Sequence, residues 1–193
     1  MQSSRQMINF VVGLLNSKLN EFYYYHNVEH TLYVMDKATE IAHHQNCSAA
    51  DVELVRTAAL WHDAGFINIY DGHEAEGCKL VQEYLPGFGY TADSIKIICG
   101  MILATHIPQL PSNKLEEILA DADLEYLGTA NAAAIAKKLF KERKFLNPHF
   151  TLDQFNQIQI SFLQNHQYFT SFCKENKEHI KQAYLKKLIN EQL

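Results

Sequence analysis

Apolar residues recur at intervals of three and four along almost the whole chain, and no segment alternates apolar and polar residues as a half-buried strand would. Ile8, Val11, Val12 and Leu15 put an apolar face on a helix predicted from Ser4 to Leu19. A second is expected from about His26 to His44, with Val28, Leu32, Met35 and Ala42 on one face. Ser48, with Asp51 three residues on, offers an N-cap for a third helix that ends at Gly65. The next runs from Gly72 to Tyr84 and stops at Pro86-Gly87. Thr91 caps another that reaches about Thr105, ahead of Pro108 and Pro111. Asn113 and Glu116 repeat the capping pattern, and their helix continues to Gly128. Thr129 to Lys144 is rich in the helix formers alanine and lysine, and Asn147-Pro148 breaks it. From Leu152 onward the pattern predicts one or two long helices with Phe155, Ile158, Phe162 and Tyr168 inside.

The expected fold class is therefore all-α, a single-domain helical bundle over residues 1–193, with no linker, repeat or low-complexity stretch. Composition agrees, with 47% hydrophobic and 20% charged residues. A net charge of -5 argues against a non-specific grip on nucleic acid or on an acidic membrane. Basic clusters at Lys137-Lys138 and Lys141-Glu142-Arg143-Lys144 read as a solvated helix face, with a phosphate-facing edge as the lesser reading. Cys47, Cys78, Cys99 and Cys173 form no Cys-x-x-Cys pair and read as reduced thiols. No apolar run approaches the roughly 20 residues that span a bilayer. The first 18 residues lack the features of a signal peptide, so the expected location is cytoplasmic.

Three segments carry candidate chemistry: Tyr25-His26-Asn27-Val28-Glu29-His30-Thr31, Leu60-Trp61-His62-Asp63-Ala64-Gly65 and Asp121-Ala122-Asp123-Leu124. Histidines and carboxylates together make a mixed nitrogen and oxygen shell suited to Mn, Fe, Co, Ni, Zn or, less well, Mg. His26 and His30 are four apart and are expected on one helix face. They can share an ion, or one can hold it while the other meets a leaving group. Any one of these histidines taken alone is more simply a hydrogen-bonded structural residue. Their ordered combination is what carries weight.

That order, His30, then His62-Asp63, then a later aspartate, resembles the signature of the HD superfamily of metal-dependent phosphohydrolases. "YHNVEHT", "LWHDAGF", "HEAEG", "ILATH" and "DADLEYLG" are similar, in sequence order, to segments of predicted members. The resemblance spans roughly residues 23–128 and leaves a helical extension, 129–193, without a matching motif. It implies His30, His62, Asp63 and a final aspartate as metal ligands. Asp121 and Asp123 both qualify for the last place. On a helical wheel Asp123 lies about 80° from Leu115, bordering the apolar face. Asp121 falls on the far side, toward water or a neighbouring helix, so Asp123 is preferred.

"YHNVEH" is also similar to the opening motif of cyclic-nucleotide phosphodiesterases, a distant branch, and there it implies His26 as general acid. A helix-capping role is the structural alternative for His26. His73 and His106 are candidates for a second metal or for substrate, while Glu74 or Asp63 can orient or deprotonate water. Relatives often carry an arginine before the tyrosine-histidine segment, where this chain has Tyr23-Tyr24-Tyr25. Phosphate clamping then falls to another group, such as Arg56 or Lys137, or the natural substrate is less anionic. The expected activity is hydrolysis of a small phosphoester, such as a nucleotide, with a divalent metal and without a nucleic acid polymer as partner. The rivals are a di-iron HD oxygenase and a non-catalytic ligand-sensing module.

Overall fold

The computed structural model describes residues 2–191; Met1, Gln192 and Leu193, which the single-domain reading included, lie outside it. Among the described residues there are ten α-helices and no strand, as the periodicity predicts. They are α1 Gln2–Lys18, α2 Val28–His44, α3 Ala49–Trp61, α4 His73–Tyr84 and α5 Ala92–Ala104, then α6 Lys114–Asp123, α7 Ala132–Leu146, α8 Leu152–Asn165, α9 Ser171–Asn176 and α10 Glu178–Asn190. Tighter 3₁₀ turns, Ala64–Ile67, Leu85–Phe88 and Glu125–Gly128, follow α3, α4 and α6.

Side-chain caps set most helix starts. Ser48 and Asp51 form the reciprocal capping box, Thr91 accepts from the Ser94 N–H, and Asn27 accepts from the Glu29 and His30 N–H groups. Asn113 caps α6, but Glu116 reaches past it to Ser112, accepting from that backbone N–H and hydroxyl. The third helix stops at Trp61 rather than Gly65, and the sixth at Asp123 rather than Gly128. Near the second break the Tyr168 hydroxyl lies 3.2 Å from the Leu124 carbonyl and 3.4 Å from that of Glu125, a long-range donor that periodicity does not reveal.

The main core joins α2, α3, α5 and α6 through Val34, Ile41, Leu60, Ile98, Ile102 and Leu119. Alanines at 38, 42, 58, 59 and 122 are nearly or fully buried and allow close helix approach. The apolar face expected on α2 is displaced. Val28, Leu32 and Met35 are half-buried, while Thr31, Val34, Ala38 and Ile41 are buried, because α2 is held between α3 and α6.

A second cluster, built from Tyr25, Leu124, Tyr126, Leu127, Leu163 and Leu185, ties the C-terminal helices to the segment before α2 and the end of α6. This tail is three helices, not one or two, and Ile158 is exposed where an inside position was expected. No helix among the described residues is long and apolar enough to cross a membrane.

Candidate metal centre

His30 occupies the first turn of α2, His62 caps the C-terminus of α3, Asp63 opens the following 3₁₀ turn, and Asp123 ends α6. Helix ends place these side chains at a common point more readily than a continuous helix would, since neighbours on one helix diverge by about 100°. His30 Nε2 and His62 Nε2 are 3.3 Å apart. Asp123 Oδ1 lies 3.1 Å from the first and 3.5 Å from the second. Asp63 Oδ2 approaches them at 3.4 and 3.2 Å. The ligand atoms of His30, His62 and Asp123 all lie within 4.8 Å of one another; Asp63 Oδ2 lies outside that set but beside both imidazoles.

These residues fit a divalent cation. Bonds of about 2.1 Å space neighbouring ligand atoms roughly 3.0–3.4 Å apart, close to the separations found here. His62 Nδ1 is 2.7 Å from the Ala59 carbonyl, which can only accept, so Nδ1 carries the proton and Nε2 faces the cluster. Asp63 Oδ2 is buried without a hydrogen-bond partner, an arrangement that is costly unless a cation completes it. Burial opposes a charge on His62, yet Asp63 and Asp123 outweigh it and raise its pKa well above the usual value. Burial also opposes ionised Asp63 and Asp123, but the adjacent imidazoles hold both carboxyls below the usual range.

Asp121 does not join this group. It is fully buried, not turned to water, and accepts from the Phe169 N–H at 2.8 Å, the Thr170 N–H at 2.9 Å and the Thr170 hydroxyl at 2.6 Å. It holds the entry to α9 against α6.

His26 is not on α2. Asn27 is the cap, so His26 precedes the helix, and the same-face spacing expected with His30 does not apply. Its ring nevertheless lies beside His30, with centroids 6.1 Å apart, and packs on Phe66 at 4.3 Å. His73 stacks on Phe66 and places Nε2 3.6 Å from Asp63 Oδ1 and 3.6 Å from Glu74 Oε1. Glu74 is buried beside it. His106 is exposed past the end of α5 and forms no hydrogen bond or ion pair with the cluster among the described residues. Arg56 is half-buried on α3, where Tyr90 bonds Thr57 and Glu53, and Lys137 is exposed.

Glu142 was missed. The sequence placed it in a solvated basic face, and its neighbours Lys141, Arg143 and Lys144 are exposed, but Glu142 is fully buried. Its Oε2 accepts the backbone N–H groups of Tyr25 and His26 at 2.9 and 3.0 Å. Its Oε1 meets His26 Nδ1 and the Tyr70 hydroxyl, the latter at 3.2 Å. The available signal was phase, because Glu142 continues the Ile135–Leu139 stripe that packs on the second core.

The HD-domain family model matches residues 27–125, just over half of the chain and the stretch that holds His30, His62, Asp63 and Asp123. The chain belongs to the HD-domain family. This HD domain is similar in fold to the crystal structure of a predicted HD superfamily hydrolase from an uncultured Thermotogales bacterium. That likeness has 19% identity and a TM-score of 0.63, covering 95% of this chain and 89% of the other. No curated protein matches the sequence. The structural likeness takes in nearly all of this chain, so it includes the C-terminal helices as well as the HD-domain segment.

Proposed function

We propose that this HD domain is a metal-dependent phosphohydrolase acting on a small phosphoester such as a nucleotide. The carrying observation is the pair of Nε2 atoms 3.3 Å apart, flanked by two carboxylates, one of which has a buried oxygen lacking a hydrogen bond. His30, His62, Asp63 and Asp123 would hold the ion. A divalent ion there supplies Lewis acidity toward a phosphoryl oxygen and makes water a stronger nucleophile near neutral pH. Asp63 Oδ1 or Glu74, each 3.6 Å from His73 Nε2, would accept the proton that attacking water loses. His26, beside the cluster and 16% exposed in its side chain, would protonate the leaving oxygen.

The di-iron reading loses His106, which is exposed, and retains His73 alone of its two extra histidines.

Elemental analysis after reconstitution should find one divalent ion per chain in the wild type and strongly reduced metal in His62→Ala and Asp63→Ala. The metal-loaded wild type should release phosphate from members of a phosphoester panel, and both variants should not. Undiminished metal in the variants would overturn the site. Two irons per chain with oxygen consumption would favour the oxygenase.

A further inference from the structure

We propose that Glu142 is a positioning residue for proton transfer, fixing the tautomer and orientation of His26 from outside the matched segment. The proposal rests on the reading of His26 as the leaving-group acid. All four observed contacts of the Glu142 carboxylate are donors: two backbone N–H groups at Oε2, the His26 ring and the Tyr70 hydroxyl at Oε1. A fully buried carboxylate so supplied stays ionised. Burial works against the charge, but the His26 ring and the backbone donors prevail and hold its pKa below the usual range.

An ionised carboxylate only accepts, so His26 Nδ1 must carry a proton. Neutral His26 is then the Nδ1–H tautomer, with its lone pair on Nε2. Among the described residues His26 Nε2 makes no hydrogen bond, and Phe66 on one side with Tyr25 edge-on hold the ring beside His30. Protonated His26 therefore offers one transferable proton, at Nε2, while its Nδ1 proton stays committed to Glu142. During hydrolysis the water oxygen bonds to phosphorus and gives up a proton to a carboxylate or to solvent. The bond from phosphorus to the leaving oxygen breaks, its electron pair stays on that oxygen, and the Nε2 proton joins it. His26 is left neutral and recovers a proton from water.

Without a carboxylate at position 142, Nδ1 can be met by a donor and the tautomer can reverse. Nε2 then keeps its proton in the neutral ring, where it is a far weaker acid. Glu142→Gln makes that change while preserving volume. Zinc-loaded wild type, Glu142→Gln, His26→Ala and the double variant would be compared on p-nitrophenyl phosphate and phenyl phosphate. Phenolate needs protonation more than p-nitrophenolate does. Glu142→Gln should lower kcat on phenyl phosphate by roughly 10- to 100-fold, with a much smaller loss on p-nitrophenyl phosphate. Zinc content should be unchanged, and the double variant should be no slower than His26→Ala.

Equal losses on both esters, or losses that multiply in the double variant, would overturn the positioning role. Nitrogen-15 NMR of the wild type supplies an arm that needs no Glu142 variant and no turnover. The signal missing from His26→Ala should show neutral His26 protonated at Nδ1, and an Nε2–H tautomer rejects the proposal even if Glu142→Gln does not fold. If neither ester is hydrolysed, the phosphoester reading fails, while the NMR result still decides the role of Glu142.

Discussion

Two aspartates two residues apart on α6 have separate tasks. Asp123 ends the helix at the imidazole pair, while Asp121 is buried against the backbone entering α9. Burial raises the pKa of Asp121, and the hydroxyl and N–H groups of Thr170 and Phe169 offset this only in part. Asp121→Ala strands the buried Thr170 N–H and the part-buried Phe169 N–H and should cost about 2 kcal/mol in urea unfolding, with metal binding retained in the folded fraction. Asp123→Ala should lose metal with a much smaller change in the stability of the metal-free protein. Metal analysis beside unfolding curves checks the pair, and the reverse pattern would show that the two roles have been exchanged. The helical wheel put Asp123 at the apolar edge and Asp121 on the far side, toward water or a neighbouring helix. It could not show that Asp121 is buried, because its partners lie 48 and 49 residues away.

The 3₁₀ turn after α3 is the element on which the arrangement depends. It begins at Asp63 and brings Gly65 against the start of α4. A Cβ on Gly65 would stand 1.9 Å from the His73 carbonyl oxygen, so the two backbones meet there only because the residue is glycine. Gly72, with φ at 81°, supplies the left-handed residue immediately before His73. Gly65→Ala should cost about 1–3 kcal/mol in thermal or urea unfolding, and it should move His73 from Asp63. A crystal structure of the variant with His73 still near Asp63 would show that the contact does not depend on this approach. The glycine was visible as a helix end, but the tight approach of α4 was not, since it is a property of two backbones packed together.

At the scale of the molecule, the C-terminal helices complete the surroundings of the cluster. Glu142 comes from α7, Tyr168 bonds the carbonyls that follow α6, and Leu163 and Leu185 pack with Tyr25 and Tyr126. Fully buried Lys181, from α10, places its ammonium 3.2 Å from His166 Nδ1 and pairs with Glu178 at 3.0 Å. Burial and then Lys181 push the His166 pKa down to about 4. In the unfolded chain the same group titrates near 6.5. Between about pH 6.5 and 4 the unfolded state therefore binds more protons, and stability falls as acid is added. His166→Gln should flatten that limb of a plot of unfolding midpoint against pH. An unchanged slope would assign the acid sensitivity to other groups.

The helical class, most helix starts and the order His30, His62-Asp63, Asp123 are legible in the amino-acid sequence alone. Each follows from short-range information: a 3.6-residue period, a capping side chain bonding two or three residues ahead, or a linear motif. Packing in three dimensions sets the rest: α3 and α6 end at the cluster, His26 stands outside α2, His106 stays apart and Glu142 is buried. The physical reason is the same in each case. A side chain's charge state, burial and direction depend on what packs against it, and for His26 that partner is 116 residues further along the chain.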